Sequence, residues 1–269
     1  MKVVLFCGGL GLRLFPLTDS TPKPMVTIGG KPLLWHVMKY YSHFGHVDFV
    51  LCLGYKGEQI KRYFLDQDGC FSNDFTLSNN YRKRELLSSD TANWTITFVD
   101  TGLHSNVGQR LKAVQKYVEN DDMFLANYSD AVTDLELPEL IDFFVRSGKT
   151  GCLTTVKPLL AYHTVSTNAE GCVNSVLPIS QSGTRINGGY FVFKKEIFQY
   201  ISEGEDLVVE PFRRLIKEKK LLGYRYNKFW YCMDTFREHQ ELSDLYERGN
   251  APWVLWNRTA SPRGEAARS

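Results

Sequence analysis

Apolar residues along the first half of the chain follow two rhythms. Short unbroken runs at Val3–Cys7, Phe49–Leu53 and Met123–Ala126 have the length and composition of strands buried on both faces. Between them, apolar positions recur three and four residues apart. Leu34, Val37, Met38 and Tyr41 predict a helix over Leu33–His43, and Ile60, Tyr63 and Phe64 predict another over Gly57–Leu65. Trp94–Val99 alternates as a strand, Leu111–Val118 reads as a helix, and Pro138 opens a helix through Val145. Thr150–Val156 and Gly189–Phe193 add two strands, and Glu210–Lys219 adds a helix. Such alternation implies an α/β fold, a Rossmann-like, mostly parallel sheet flanked by helices. From Pro158 to Ile186 the pattern changes to short apolar pieces among Gly, Ser, Thr and Asn, which predicts a small β-rich insertion beside the sheet. The polar tail over 257–269 is expected to be disordered.

Composition narrows the class without naming it. Over 269 residues the chain is 43% hydrophobic and 23% charged, with 32 basic and 30 acidic side chains and a formal charge of +2. That balance carries no electrostatic footprint for nucleic acid or an anionic membrane, so any anionic ligand must be held by a local site. No apolar run approaches the roughly 20 residues of a membrane span, and Val3–Cys7 is too short for a signal-peptide core. The expectation is a cytoplasmic protein without a nucleic-acid or membrane partner. Six scattered cysteines show no C-x-x-C pair, and Cys7, Cys52 and Cys152 lie in or beside apolar runs as buried thiols do, so neither a disulfide framework nor a zinc site is expected.

Chemistry enters where the first strand ends. In Gly8-Gly9-Leu10-Gly11-Leu12-Arg13, three glycines let backbone N–H groups approach an anion, and Arg13 adds a permanent forked charge. Ten residues on, Pro22-Lys23-Pro24 mounts a lysine between two prolines. Together they describe a cradle for a polyphosphate. It is not the dinucleotide fingerprint, because Leu14 stands where the third glycine belongs, and Gly30-Lys31-Pro32 lacks the hydroxyl residue of a Walker A loop.

The combined string Gly8-Gly9-x-Gly11-x-Arg13-Leu14, Lys23-Pro24 and Ile28-Gly29-Gly30-Lys31-Pro32 resembles the signature of sugar-1-phosphate nucleotidyltransferases. Leu34–Ser42, Gly54-Tyr55-Lys56-Gly57, Val99–Gly102, Gly108–Lys112, Phe229-Trp230-x-x-Met233-Asp234-Thr235 and Ala251-Pro252-Trp253 are most similar to the glucose-1-phosphate cytidylyltransferase branch. The resemblance implies one domain over 1–256, with a nucleotide-binding part to about 155, a sugar-binding part over about 156–235 and a helical part to 256. It also implies Mg2+ as cofactor, a nucleoside triphosphate and a sugar 1-phosphate as partners, and a homo-oligomer. CTP and glucose 1-phosphate lead; another nucleotide, an unusual acceptor, or a nucleotide-binding protein without turnover stay open. A related glycosyltransferase is disfavoured because Ser129-Asp130-Ala131 is no D-x-D motif.

Carried over residue by residue, the resemblance assigns Arg13 and Lys23 to catalysis, Asp130 and Asp234 to the metal, and Gly8, Gly9, Gly11, Thr101, Gly108 and Arg110 to the nucleotide, with Arg110 reading the base. Asn187 and Gly188 resemble the sugar-binding turn. Where the wider family has Glu-Lys-Pro, the stretch Leu177–Ile186 has no lysine, so Arg185 or Lys157 is expected to hold the sugar phosphate. Two further departures fall nearby: Tyr128-Ser129-Asp130-Ala131 replaces a Tyr-Gly-Asp-Gly, and Ala161-Tyr162-His163 replaces an Arg-Tyr-Gly.

Overall fold

The computed structural model describes residues 1–65, 75–80, 82–86, 93–159 and 162–257. The expected tail from 258 onward, and Ala161 of the altered tripeptide, lie outside these. At the centre are seven strands: β1 (Val3–Phe6), β2 (Asp48–Leu53), β3 (Thr95–Asp100), β4 (Met123–Asn127), β5 (Gly151–Val156), β6 (Ile186–Lys194) and β7 (Leu221–Arg225), ordered 7-5-6-4-1-2-3 across the sheet. All neighbours are parallel except β6, which runs antiparallel to both β4 and β5. The mostly parallel sheet expected from the sequence is therefore present, and it continues through β6 and β7 well beyond residue 155.

Period-two alternation along the strands divides the core. Val3, Leu5 and Cys7 face helix α1 (Leu33–His43), α2 (Gly57–Leu65) and α4 (Leu137–Ser147), through Leu34, Val37, Met38, Ile60, Leu140 and Phe144. Val4 and Phe6 face the other way, onto Leu111 and Val114 of the segment that begins with α3 (Val107–Ala113), and onto Phe212 and Leu215 of α5 (Glu210–Lys217). Each of these fully buried side chains is worth roughly 1.5–3 kcal/mol against exposure. Both faces are covered, which is why the strands read as continuous apolar runs.

Helix ends follow local chemistry. The Asn106 side chain accepts from Gln109 N–H and the Gln109 side chain accepts from Asn106 N–H, so α3 starts at Val107, four residues before the apolar spacing predicts, and a separate turn covers Gln115–Val118. Pro138 lies in the first turn of α4, and Gly148, at φ 66°, ends it in the left-handed region. The final helix α6 (Phe236–Glu247) is capped by Thr235 with Glu238 in the same reciprocal arrangement. The expected insertion is a hairpin of His163–Thr167 and Val173–Pro178, separate from the sheet. No helix among the described residues is long and apolar enough to cross a membrane.

Candidate active site

Strand order reverses between β1 and β4: the chain steps outward from β1 to β2 and β3, then returns to the opposite side of β1 for β4. In open α/β sheets such a switch point opens a crevice at the carboxyl ends of the strands. Here β1 delivers the glycine loop and β4 delivers Asp130 to the same crevice.

The loop is held by its own backbone. Gly11 adopts φ 65°, and its carbonyl accepts from Leu14 N–H at 3.0 Å and from the Thr18 hydroxyl at 3.0 Å. Leu14 is buried in a third apolar cluster, with Ile28, Val132, Met233 and Trp253. Anchoring Leu14 leaves Arg13 projecting outward, its side chain 75% exposed. Lys23 opens a short turn closed by Met25 N–H to the Pro22 carbonyl at 2.8 Å, which aims the ammonium inward with 12% exposure.

The aspartates arrive from opposite ends of the chain. Ser129 adopts φ 63°, a conformation costly for a residue with a side chain. Its N–H donates to the Asn127 side-chain oxygen at 2.6 Å, which fixes the turn before Asp130. Ala131–Thr133 then pairs with Trp230–Cys232, Ala131 opposite Cys232, and Met233 N–H donates to the Asp130 carbonyl at 2.9 Å. This ribbon carries Asp234 across to Asp130. Lys23 Nζ lies between them, 2.9 Å from Asp130 Oδ2 and 2.6 Å from Asp234 Oδ1, and Arg13 adds a 3.1 Å pair to Asp234 Oδ2. Burial alone would push the Lys23 ammonium towards its neutral form, but the charges of Asp130 and Asp234 outweigh it and hold the pKa above the ordinary lysine range. Asp234, which burial would push upward, is held below the usual carboxylate range by Lys23 and then Arg13.

Two cavities meet at this cluster. One, of about 430 Å³, is lined by Gly9, Gly11, Arg13, Lys23, Asp130 and Asp234 among others. The second, of about 310 Å³, shares Arg13, Tyr128, Asp130 and Asp234 and continues past Asn187, Gly188 and Trp230. Asn187 donates to the Tyr128 hydroxyl at 3.0 Å, and Trp230 donates to the Gly188 carbonyl at 2.8 Å, so the turn is fixed as a wall.

Other expected residues lie elsewhere. Arg110 is buried beneath Gly8: its guanidinium donates to the carbonyls of Leu53 at 3.1 Å, Gly8 at 3.1 Å and Leu103 at 3.4 Å, and to the Thr101 hydroxyl at 2.7 Å. A Cβ on Gly8 would fall 2.1 Å from that guanidinium, so this glycine makes room for an arginine; Gly9 is the exposed one. Thr101 is buried and supports Arg110 instead of facing either cavity. Gly108 lets α3 pack on the chain at 205–207, where a Cβ would meet the Glu205 carbonyl at 2.2 Å. Arg185 does not line the second cavity; it ties β5, through Thr155, to the segment that follows β7, through the Tyr226 carbonyl and through Asn227 at 2.9 Å. Lys157 is exposed and lines neither cavity. In this structure neither cation expected at the acceptor phosphate lines the second cavity, and Arg185 is bonded to Thr155, Tyr226 and Asn227.

Sequence reasoning passed over Cys232, which stands with Asp130 and Asp234 in a group whose ligand atoms lie within 4.8 Å of one another. The signal was its place two residues before Asp234. Two carboxylates with an ammonium lodged between them form a place built for positive charge, and hard oxygens suit a small divalent ion. The residues present therefore fit a divalent metal.

A family model described as nucleotidyl transferase matches residues 2–247. The chain is 40% identical to the glucose-1-phosphate cytidylyltransferase of Salmonella typhimurium over 257 residues, covering 95% of this chain and all of that one. It is 33% identical over 258 residues to the probable glucose-1-phosphate cytidylyltransferase of Bacillus subtilis, at 95% and 100% coverage. In three dimensions it is similar to the UTP-bound UGPase from Acinetobacter baumannii, with TM-score 0.65, 17% identity and coverage of 91% and 92%, a likeness of fold.

Proposed function

The chain belongs to the nucleotidyl transferase family, and we propose that it transfers the cytidylyl group of CTP to glucose 1-phosphate or a closely related sugar 1-phosphate. The products are a nucleotide sugar and pyrophosphate. One observation carries the reading: over a full-length likeness to cytidylyltransferases, Arg13, Lys23, Asp130 and Asp234 converge where two cavities join.

The triphosphate takes the cavity under the glycine loop and the sugar phosphate takes the one beside Asn187. An oxygen of the sugar phosphate attacks the α-phosphorus, the new P–O bond forms, and the bond to the β-phosphate oxygen breaks with its electron pair leaving on pyrophosphate. Both reactants are anions, so positioning and charge neutralisation carry the rate. Arg13 neutralises the departing β- and γ-phosphates. Lys23 would bridge the α-phosphate and the incoming phosphate. Asp130 and Asp234 would hold Mg2+, which would supply Lewis-acid stabilisation of phosphate charge. Arg13 lines both cavities, so it too is within reach of the acceptor phosphate. Base choice belongs to the wall under Gly8. For Arg110 to donate to cytosine, its fork must exchange a protein carbonyl, and the 3.4 Å bond to Leu103 is the longest it makes.

The deciding assay follows pyrophosphate with Mg2+ present, offering CTP, UTP, dTTP, ATP and GTP in turn against a panel of sugar 1-phosphates. Release that needs both CTP and a sugar 1-phosphate is expected. No release with any pair, while triphosphate still binds, would overturn the proposal. An unchanged preference for CTP over UTP and dTTP in Arg110→Ala would remove Arg110 from base selection.

A further inference from the structure

Resting on the metal reading above, we infer that Cys232 turns the Asp130–Asp234 site into a mixed oxygen–sulfur site that captures thiophilic divalent ions such as Cd2+ and Zn2+. The two carboxylate oxygens and the Cys232 sulfur lie within 4.8 Å of one another. A tetrahedral zinc ion with bonds of about 2.0–2.3 Å needs its ligand atoms about 3.6 Å apart, at most about 1.2 Å closer than they stand. The three side chains come from two short strands paired in fixed register, Ala131 opposite Cys232, and from the residues just beyond each strand. Softness then decides between ions. Magnesium gains nothing from sulfur, whereas cadmium and zinc bind thiolate in preference to oxygen. On binding, the S–H proton passes to solvent and a metal–sulfur bond forms, with no change of oxidation state. Two carboxylates and one thiolate around a divalent ion leave one net negative charge, which Arg13, paired to Asp234 Oδ2, offsets. An ion so held would occupy the place of the working metal, so traces of soft metal act as inhibitors of this chain.

The test titrates the intact protein, in a Cys172→Ser background that removes an exposed thiol, with Cd2+ and separately with Mn2+. Cadmium is read by the ultraviolet thiolate-to-metal charge-transfer band and manganese by electron paramagnetic resonance. The inference expects a one-to-one cadmium band that disappears in Cys232→Ser and in Cys232→Ala, with affinity at least about 100-fold weaker, beyond the loss expected for an outer partner. Manganese binding should survive both substitutions within about threefold and disappear in Asp130→Asn. A cadmium band that persists without Cys232 overturns the inference. So does manganese binding with no cadmium band, which leaves the carboxylate metal site standing; failure of both ions to bind overturns the metal reading together with it.

Discussion

The two cavities share Arg13, Tyr128, Asp130 and Asp234, yet the chain supplies the rest of each differently. On the side proposed for the nucleotide, Gly9, Gly11, Arg13 and Lys23 come from a single stretch after β1, and local turns aim them. On the acceptor side, the walls come from the β4 end, from β6 and from the ribbon strand before Asp234. A cation close in sequence, Arg185, is diverted into holding β5 to its neighbour. A ligand set carried by one loop survives changes of tertiary detail. A set assembled across strands depends on which side chains the strands keep for themselves.

Four experiments sharpen or break that contrast. Asp234→Asn strikes the side chain both cavities use and should lower pyrophosphate release about 1,000-fold, or about 4 kcal/mol of barrier, with the fold intact by circular dichroism. A loss under tenfold would mean that the shared cluster is not the reaction centre.

Acid tests the support beneath the nucleotide side. His36 is buried, donating through Nε2 to the Ile28 carbonyl at 2.9 Å and accepting through Nδ1 from Trp253, and burial lowers its pKa from 6.5 to about 4. The unfolded chain therefore takes up a proton that the folded one refuses. Stability is full above about pH 6.5 and falls by about 3 kcal/mol as pH drops to about 4. Chemical denaturation across this range should show a flatter acid limb for His36→Gln than for the unmodified protein.

Arg185→Leu addresses the acceptor side. It should cost about 2 kcal/mol in unfolding free energy by leaving the Tyr226 carbonyl without its donor and the Thr155 carbonyl with only the Tyr226 N–H, while KM for the sugar phosphate stays within about twofold. A large KM increase without lost stability would return Arg185 to the acceptor site. The smallest effect belongs to Ser129→Gly, which relieves the positive φ and should stabilise the protein by about 1 kcal/mol in urea unfolding.

Much of this architecture is legible in the sequence, for identifiable reasons. Val3–Cys7, Phe49–Leu53 and Met123–Ala126 are buried on both faces and announce themselves as apolar runs. Strand β7 passes unnoticed because Gly223 and Arg225 leave it half exposed at the sheet edge. The start of α3 is set by a side-chain cap that apolar spacing does not register. Asp130 and Asp234 are marked by the family pattern, but their meeting depends on a three-residue ribbon too short to carry a pattern, and the same ribbon brings Cys232 beside them. Arg110 and Arg185 look alike in sequence, as guanidinium groups near glycine; only the count of carbonyls around each reveals how heavily the protein itself occupies them.

The ammonium that Lys23 keeps between the two aspartates has a thermodynamic consequence. On the proposed reading, a divalent ion bound by the aspartates would displace that ammonium, and its apparent affinity would be reduced by the work of doing so. A bound triphosphate would offer the displaced ammonium a new set of anionic oxygens. Metal and nucleotide would then bind with positive linkage, each tightening the other by the same factor.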